Sequence, residues 1–134
     1  MPADGASQDV PDDCVVYRVV KREDVKSDGT PGSGSFSDKA DEDGSRYYMS
    51  VYFDDEMRAA GKNVHDLQNH WNSDGDRYTV YQFTTAEARA RGEKLWRDPN
   101  DEFPGHGACK RRDDSERTRG QKRNLAKITK PATS

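Results

Sequence analysis

Residues 46–53 have the sequence Arg-Tyr-Tyr-Met-Ser-Val-Tyr-Phe, the longest run of strand-forming residues in a strongly polar chain. Because successive side chains of a strand point to opposite faces, every second residue shares a face. The first face is apolar enough for a core, and the second can also reach water, a ligand or another layer. The first would hold Tyr47, Met49, Val51 and Phe53, and the second Tyr48, Ser50 and Tyr52. The pattern predicts the central strand of a small sheet.

Shorter patterns on both sides of this strand predict further elements. Residues 14–20 are apolar on both alternating faces except at Arg18, which favours a strand covered on both sides. Residues 78–83 are rich in aromatic and β-branched residues and predict another strand, and Leu95-Trp96 predicts a short one. Thr84 and Glu87 form the capping box of a helix. A long loop over residues 21–45 would be anchored on the core by Phe36.

This order of elements predicts an α+β fold with a small mixed or antiparallel sheet of three to four strands and two to four short helices. We expect a disordered lead-in over residues 1–13, a single domain over 14–130 and a frayed end over 131–134. The expected core residues are Val15, Tyr17, Val19, Met49, Val51, Phe53, Leu67, Trp71, Val80, Phe83 and Trp96.

Composition sets the size and class of the protein. Of 134 residues, 31% are hydrophobic and 35% are charged, which predicts one domain with a small core. The chain has no apolar run of about 18 residues and no apolar leader, so we expect neither a membrane span nor secretion. Cys14 and Cys109 are the only cysteines, which favours a cytoplasmic protein with two free thiols.

The charges are segregated along the chain. Residues 1–58 carry 7 Lys or Arg and 14 Asp or Glu, a balance of −7, whereas residues 108–134 carry 9 and 3, a balance of +6. The basic tail could meet an anionic partner, but it contains no aromatic residue for base stacking, so nucleic acid is only weakly supported. We expect the tail to dock through Leu125 and Ile128.

A few residues are candidates for a site. Arg18, inside an apolar strand, needs an acceptor, unless it reaches solvent at the strand end. The Gly/Ser-rich segment with Ser35 could bind an anion or could be a solvated loop. His106 lies between glycines that let a ligand approach, although it could be a plain loop histidine. His106 and Cys109 make half a zinc site at best, so we predict no metal and no cofactor. Cys109 could be a nucleophile, but no orienting group is evident.

Several short motifs, taken in order, carry a family resemblance. They are Tyr17-Arg18-Val19, Ser35-Phe36, Ser50-Val51 and Pro104-Gly105-His106-Gly107. The chain resembles a group of small uncharacterised bacterial proteins with a Tyr-Arg start, a Ser-x-Phe turn, a Ser-Val strand and a Pro-x-His-Ala segment, with Gly107 in the place of that alanine. The resemblance implies that Arg18, Ser35, Ser50 and His106 share one site.

Three functional hypotheses follow. The first is a small domain that binds an anionic ligand or partner through Arg18, Ser35 and His106. The second is a nucleotide-using transferase, because an arginine on the first strand and a serine on a second strand resemble ADP-ribosyltransferase sites. No glutamate stands out as its catalytic residue. The third is a protein-interaction module of a regulatory or defence pair.

Overall fold

The computed structural model describes residues 10–40 and 47–132, and it does not describe the side chains of residues 39, 40 and 47. This part of the chain forms one antiparallel sheet with four α-helices. The strands are β1 (Val15–Lys21), β2 (Lys39–Ala40), β3 (Tyr47–Phe53), β4 (Tyr78–Thr84), β5 (Glu93–Arg97), β6 (His106–Arg111) and β7 (Lys130–Pro131). The helices are α1 (Asp54–Ala59), α2 (Val64–Trp71), α3 (Thr85–Ala90) and α4 (Arg119–Ile128), and two 3-10 turns cover Arg22–Asp24 and Ser33–Phe36.

Six strands lie in the order β5-β6-β3-β1-β4-β7, and the short β2 pairs with β3 beside this path. The α+β class is therefore confirmed, but the sheet is wider than the three to four strands predicted. β3 has β6 on one side and β1 on the other, as expected of a central strand.

Both faces of the sheet are covered, which gives two cores. Met49, Val51 and Phe53 are fully buried on the first face, as their alternation predicts, with α3 and α4 above them. The second face packs Tyr52 against Met57 of α1, Leu67 of α2 and the following loops. A strand buried on both sides explains why aromatic residues occupy both faces of β3.

Two expectations about core residues change. Val64, Leu67 and Trp71 recur at i, i+3 and i+7, which predicts a helical stripe with Trp71 in the core. Trp71 is nevertheless 37% exposed and packs edge-on against Tyr78 at 5.2 Å between ring centroids. It is therefore a surface residue, and its predicted place in the core is wrong. Val10, assigned to the lead-in, is buried in the first core at 2% exposure, and Arg89 of α3 donates to its carbonyl.

Strand β6 is the element that sequence patterns missed. Pro104, Gly105 and Gly107 favour an irregular segment over residues 103–109, and the sequence pattern predicts no strand there. The structure places His106–Arg111 between β3 and β5. Gly107 lies against the ring of Phe53, so this glycine serves close packing rather than a turn.

The ends of the described chain are well packed. α4 begins at the Thr118–Gln121 capping box and docks through the fully buried Leu125, with Ile128 packed against the same core. The expectation that the tail docks through these two residues is confirmed. Lys130–Pro131 pairs with β4, so the frayed end does not begin at residue 131. Residues 1–9 and 133–134, with most of the predicted lead-in, lie outside the described residues. No described helix has the length and apolar character needed to cross a bilayer.

Candidate functional site

A split in the sheet creates the setting of Arg18. β1 and β3 pair only at Val16–Phe53 and Tyr17–Tyr52. Further along, β3 pairs with β2 instead. The two central strands therefore diverge at Arg18, and backbone carbonyls on the edge of β3 lack a partner strand there.

The guanidinium of Arg18 fills this gap. Its Nε donates to the carbonyl of Ser35 at 3.0 Å, and its Nη1 donates to the carbonyl of Ser50 at 2.9 Å. These bonds fix the rotamer but do not neutralise the charge, and none of the described residues forms an ion pair with Arg18. Burial, together with repulsion from Arg117, lowers the pKa of Arg18 to about 10, so the side chain remains cationic at neutral pH.

Ser35 reaches Arg18 from the second 3-10 turn, Ser33–Phe36. The fully buried Phe36 anchors this turn, as the sequence predicts. The residue Ser35 is only 7% exposed, and its Oγ has no hydrogen-bond partner among the described residues. A buried hydroxyl without a partner is uncommon and costs about 1–3 kcal/mol.

Ser50 and His106 form a second contact, on the other face of the sheet. The Oγ of Ser50 lies 3.2 Å from Nε2 of His106, and Nδ1 of His106 lies 2.6 Å from the carbonyl of Asp98. A carbonyl can only accept a hydrogen bond, so in the neutral imidazole Nδ1 carries the proton. Nε2 then accepts a hydrogen bond from the Ser50 hydroxyl. The Asp98 carboxylate is 3.9 Å from Nδ1. This arrangement can polarise the serine hydroxyl, although His106 itself is only 7% exposed.

The four residues of the family resemblance are therefore joined by hydrogen bonds, but through backbone carbonyls and across two faces. Val16 pairs with Phe53, so alternation places Arg18 on the Phe53 face. Ser50 and His106 lie on the Tyr52 face. Arg18 and Ser35 form one candidate anion site, and Ser50 with His106 forms a separate polar pair.

A buried ion network that the sequence did not reveal lies beside this site. Glu93 Oε1 accepts from Arg117 at 3.0 Å (Nε) and 2.5 Å (Nη2), and Glu93 Oε2 accepts from Arg111 at 2.9 Å. Arg117 also binds Asp38 through Nη1. The side chains of Arg117 and Glu93 are fully buried, so the charge of Arg117 is balanced within the protein, unlike that of Arg18. The partners are far apart in sequence, and no local pattern marks them.

Cys109 belongs to this network rather than to a nucleophilic site. It is fully buried, its Sγ donates to Glu93 Oε1 at 3.5 Å, and burial, with the nearby Glu93, raises its pKa far above the ordinary value. Because the thiolate is the nucleophile, this environment makes the thiol unreactive. His106 lies on the opposite face and cannot act as its base.

Thiol reactivity tests this conclusion. Cys14 is also buried, and burial with the nearby Asp55 raises its pKa to about 11. At pH 8 we expect both native thiols to react with Ellman's reagent at least roughly 100-fold more slowly than in the unfolded chain. The Cys14→Ala variant isolates Cys109. Rapid labelling of Cys109 in the folded variant would restore it as a candidate nucleophile.

The described residues contain no group of three or more His, Cys, Asp or Glu side chains that could hold a metal ion. Comparisons with protein-family models, curated proteins and solved structures give no match for this chain. The resemblance to small bacterial proteins therefore stays a prediction.

Proposed function

We propose that this protein is a small binding domain for an anionic ligand, held by Arg18 and Ser35. The supporting observation is a positioned guanidinium with no carboxylate partner among the described residues, next to a buried hydroxyl that is also unpartnered. His106 is not part of this proposal, because its ring lies on the other face of the sheet.

Donor geometry supports an oxyanion as the ligand. A guanidinium has five N–H donors, and only two nitrogens of Arg18 are used by carbonyls. An oxyanion could accept from the remaining edge in the bidentate manner that arginine favours, and the Ser35 hydroxyl could add a third donor. The two carbonyl bonds orient the guanidinium before the ligand arrives, which lowers the entropic cost of binding.

Local charges support the same proposal. Arg117 repels Arg18, but Glu93 and Asp38 neutralise Arg117. Arg18 is therefore left as an uncompensated, half-buried cation. An anion would relieve the cost of this charge.

Serine replacement provides a test that separates binding from folding. Ser35→Ala removes a hydroxyl that makes no hydrogen bond to the described residues, so stability should be unchanged or raised by up to about 1 kcal/mol. A lost hydrogen bond to a charged ligand is worth about 1.5–3 kcal/mol, so phosphate affinity should fall roughly 10–100-fold. The measurements are thermal unfolding and calorimetric titration with inorganic phosphate or sulfate at constant ionic strength.

Two variants complete this test. Arg18→Lys keeps the charge but removes the paired N–H donors of the planar guanidinium, and it should weaken phosphate binding by a similar factor. Ser37→Ala changes the same loop at a half-buried serine whose Oγ donates to the carbonyl of Gly34, so it should bind phosphate normally. If Ser35→Ala and Arg18→Lys both bind phosphate like the unaltered protein, the anion site is not at Arg18.

The transferase alternative gains no support at this site. The buried carboxylates near Arg18 in the described structure, Glu93 and Asp38, are both held by Arg117. Neither is free to act on a substrate. The interaction-module alternative stays a prediction.

A further inference from the structure

Two adjoining cavities lie away from Arg18, at the end of β1 and the start of β4. The larger has a volume of about 460 Å³ and is lined by Lys21, Arg22, Glu23, Arg77 and Tyr78. The smaller, of about 210 Å³, shares Arg77 and Tyr78 and adds His70, Trp71, Asp74 and Glu102. The larger volume alone falls in the usual range for small-molecule sites.

The backbone that carries the shared residues is held rigidly. Asn72, which follows α2, accepts from the N–H groups of Arg77 and Tyr78 at 3.1 and 2.8 Å and donates to the carbonyl of Tyr78 at 3.0 Å. Arg22 donates its N–H to the carbonyl of Arg77 at 2.8 Å, and its side chain pairs with Asp76 at 3.0 Å. The backbone of Arg22 and Arg77, two of the cations that line the larger cavity, is therefore held in place by hydrogen bonds.

The charge of the lining differs between the two cavities. Three cations and one carboxylate line the larger cavity, and Lys21 and Arg77 form no ion pair with any described residue. In the smaller cavity, Asp74 and Glu102 supply acceptors beside the rings of Trp71 and Tyr78. The larger cavity therefore suits a phosphate, and the smaller suits a planar ring with hydrogen-bond donors.

Trp71 is the decisive side chain. It is the one large hydrophobic residue that the described structure leaves exposed, at 37%, and it packs edge-on against Tyr78. An exposed tryptophan packed on a half-buried tyrosine, beside cations that pair with no described residue, is a combination that binds nucleotide bases and their phosphates.

We propose that the two neighbouring cavities together bind a nucleoside phosphate, with the phosphate near Lys21, Arg22 and Arg77 and the base beside Trp71. The ligand could be a free mononucleotide or a nucleotide unit of a single strand, since both carry the same groups. This site is separate from the anion site at Arg18, and neither proposal depends on the other.

Tryptophan fluorescence tests the proposal. Trp71 is exposed whereas Trp96 is buried, so a base on Trp71 should change the emission in a saturable way. The probes are AMP, GMP, CMP and UMP, the matching nucleosides, inorganic phosphate and an eight-residue oligothymidylate. We expect at least one mononucleotide to bind at least tenfold more tightly than both its nucleoside and phosphate. Tight binding of the oligonucleotide alone would identify the strand as the source.

Variants locate the site. Arg77→Gln should weaken nucleotide binding at least tenfold, and Trp71→Ala, followed by calorimetry, should do the same. Arg123→Gln, an exposed arginine on α4 outside both cavities, and Ser35→Ala, in the Arg18 site, should bind nucleotides normally. Circular dichroism confirms folding. The proposal is overturned if neither mononucleotide nor oligonucleotide binds more tightly than phosphate, or if Arg77→Gln binds unchanged.

Discussion

Replacing Arg117 with methionine should lower the free energy of unfolding by about 3–5 kcal/mol, the usual cost of removing one partner of a buried ion pair. Arg117 is 3% exposed and binds both Glu93 and Asp38. Methionine fills most of the volume but leaves Asp38 without this cation and leaves Glu93 with Arg111 alone. The measurement is urea unfolding at pH 7, followed by circular dichroism.

A matched control separates this effect from the loss of a positive charge. Arg123→Met changes an exposed arginine on α4 and should alter stability by no more than about 0.5 kcal/mol. Adding Glu93→Gln to Arg117→Met removes a buried carboxylate that has lost its bond to Arg117. The double variant should therefore lose less free energy of unfolding than the sum of the losses of the two single variants. If Arg117→Met is as stable as Arg123→Met, the network does not hold β5 and the chain before α4 together.

Local patterns in the sequence predicted the parts of the fold that depend on local chemistry. The alternation around Met49, Val51 and Phe53 identifies the central strand because one face must be buried. The box at Thr84 and Glu87 begins α3 because it satisfies backbone N–H groups at that helix end. Such signals lie within a few residues of one another, so the sequence displays them directly.

The errors share a different physical origin. Gly107 by itself indicates a loop. Its packing role depends on Phe53, a residue 54 positions earlier in the neighbouring strand, so the local sequence does not show it. Trp71 follows a helical stripe, but it is the last residue of its short helix and meets Tyr78 edge-on while it stays 37% exposed. Contacts between distant parts of the chain determine the surroundings of both residues, and the periodicity of the local sequence does not show these contacts.

The candidate site was predictable only in its residue types. Arg18 is marked by a charge inside an apolar strand, and the structure shows why it is tolerated there: diverging strands leave carbonyls for it to bind. Nothing in the sequence indicates that Ser35 Oγ is unpartnered or that Ser50 and His106 lie on the other face. Those facts depend on strand register.

Replacing Gly107 with alanine should destabilise the protein by about 1–3 kcal/mol, the usual range for overpacked cores. A Cβ at this position would lie 2.1 Å from Cε2 of Phe53 and 2.8 Å from the carbonyl oxygen of Trp96. The carbonyl belongs to the paired strand β5 and cannot withdraw cheaply. The Phe53 ring is fully buried beneath the guanidinium of Arg97, 5.2 Å from its centroid, so it has little room to move.

The measurement is thermal and urea unfolding of Gly107→Ala beside Gly34→Ala, where an added Cβ would meet nothing within 4 Å. The control should be neutral or more stable by about 0.4–1 kcal/mol, because alanine restricts the unfolded chain. Adding Phe53→Leu to Gly107→Ala should recover part of the loss, since a smaller side chain makes space for the methyl group. Equal stability of Gly107→Ala and Gly34→Ala would mean that β6 does not pack this closely against Phe53. If the loss occurs, the glycine is required by the large aromatic residue of β3, whose ring occupies the space that a methyl group at residue 107 would take.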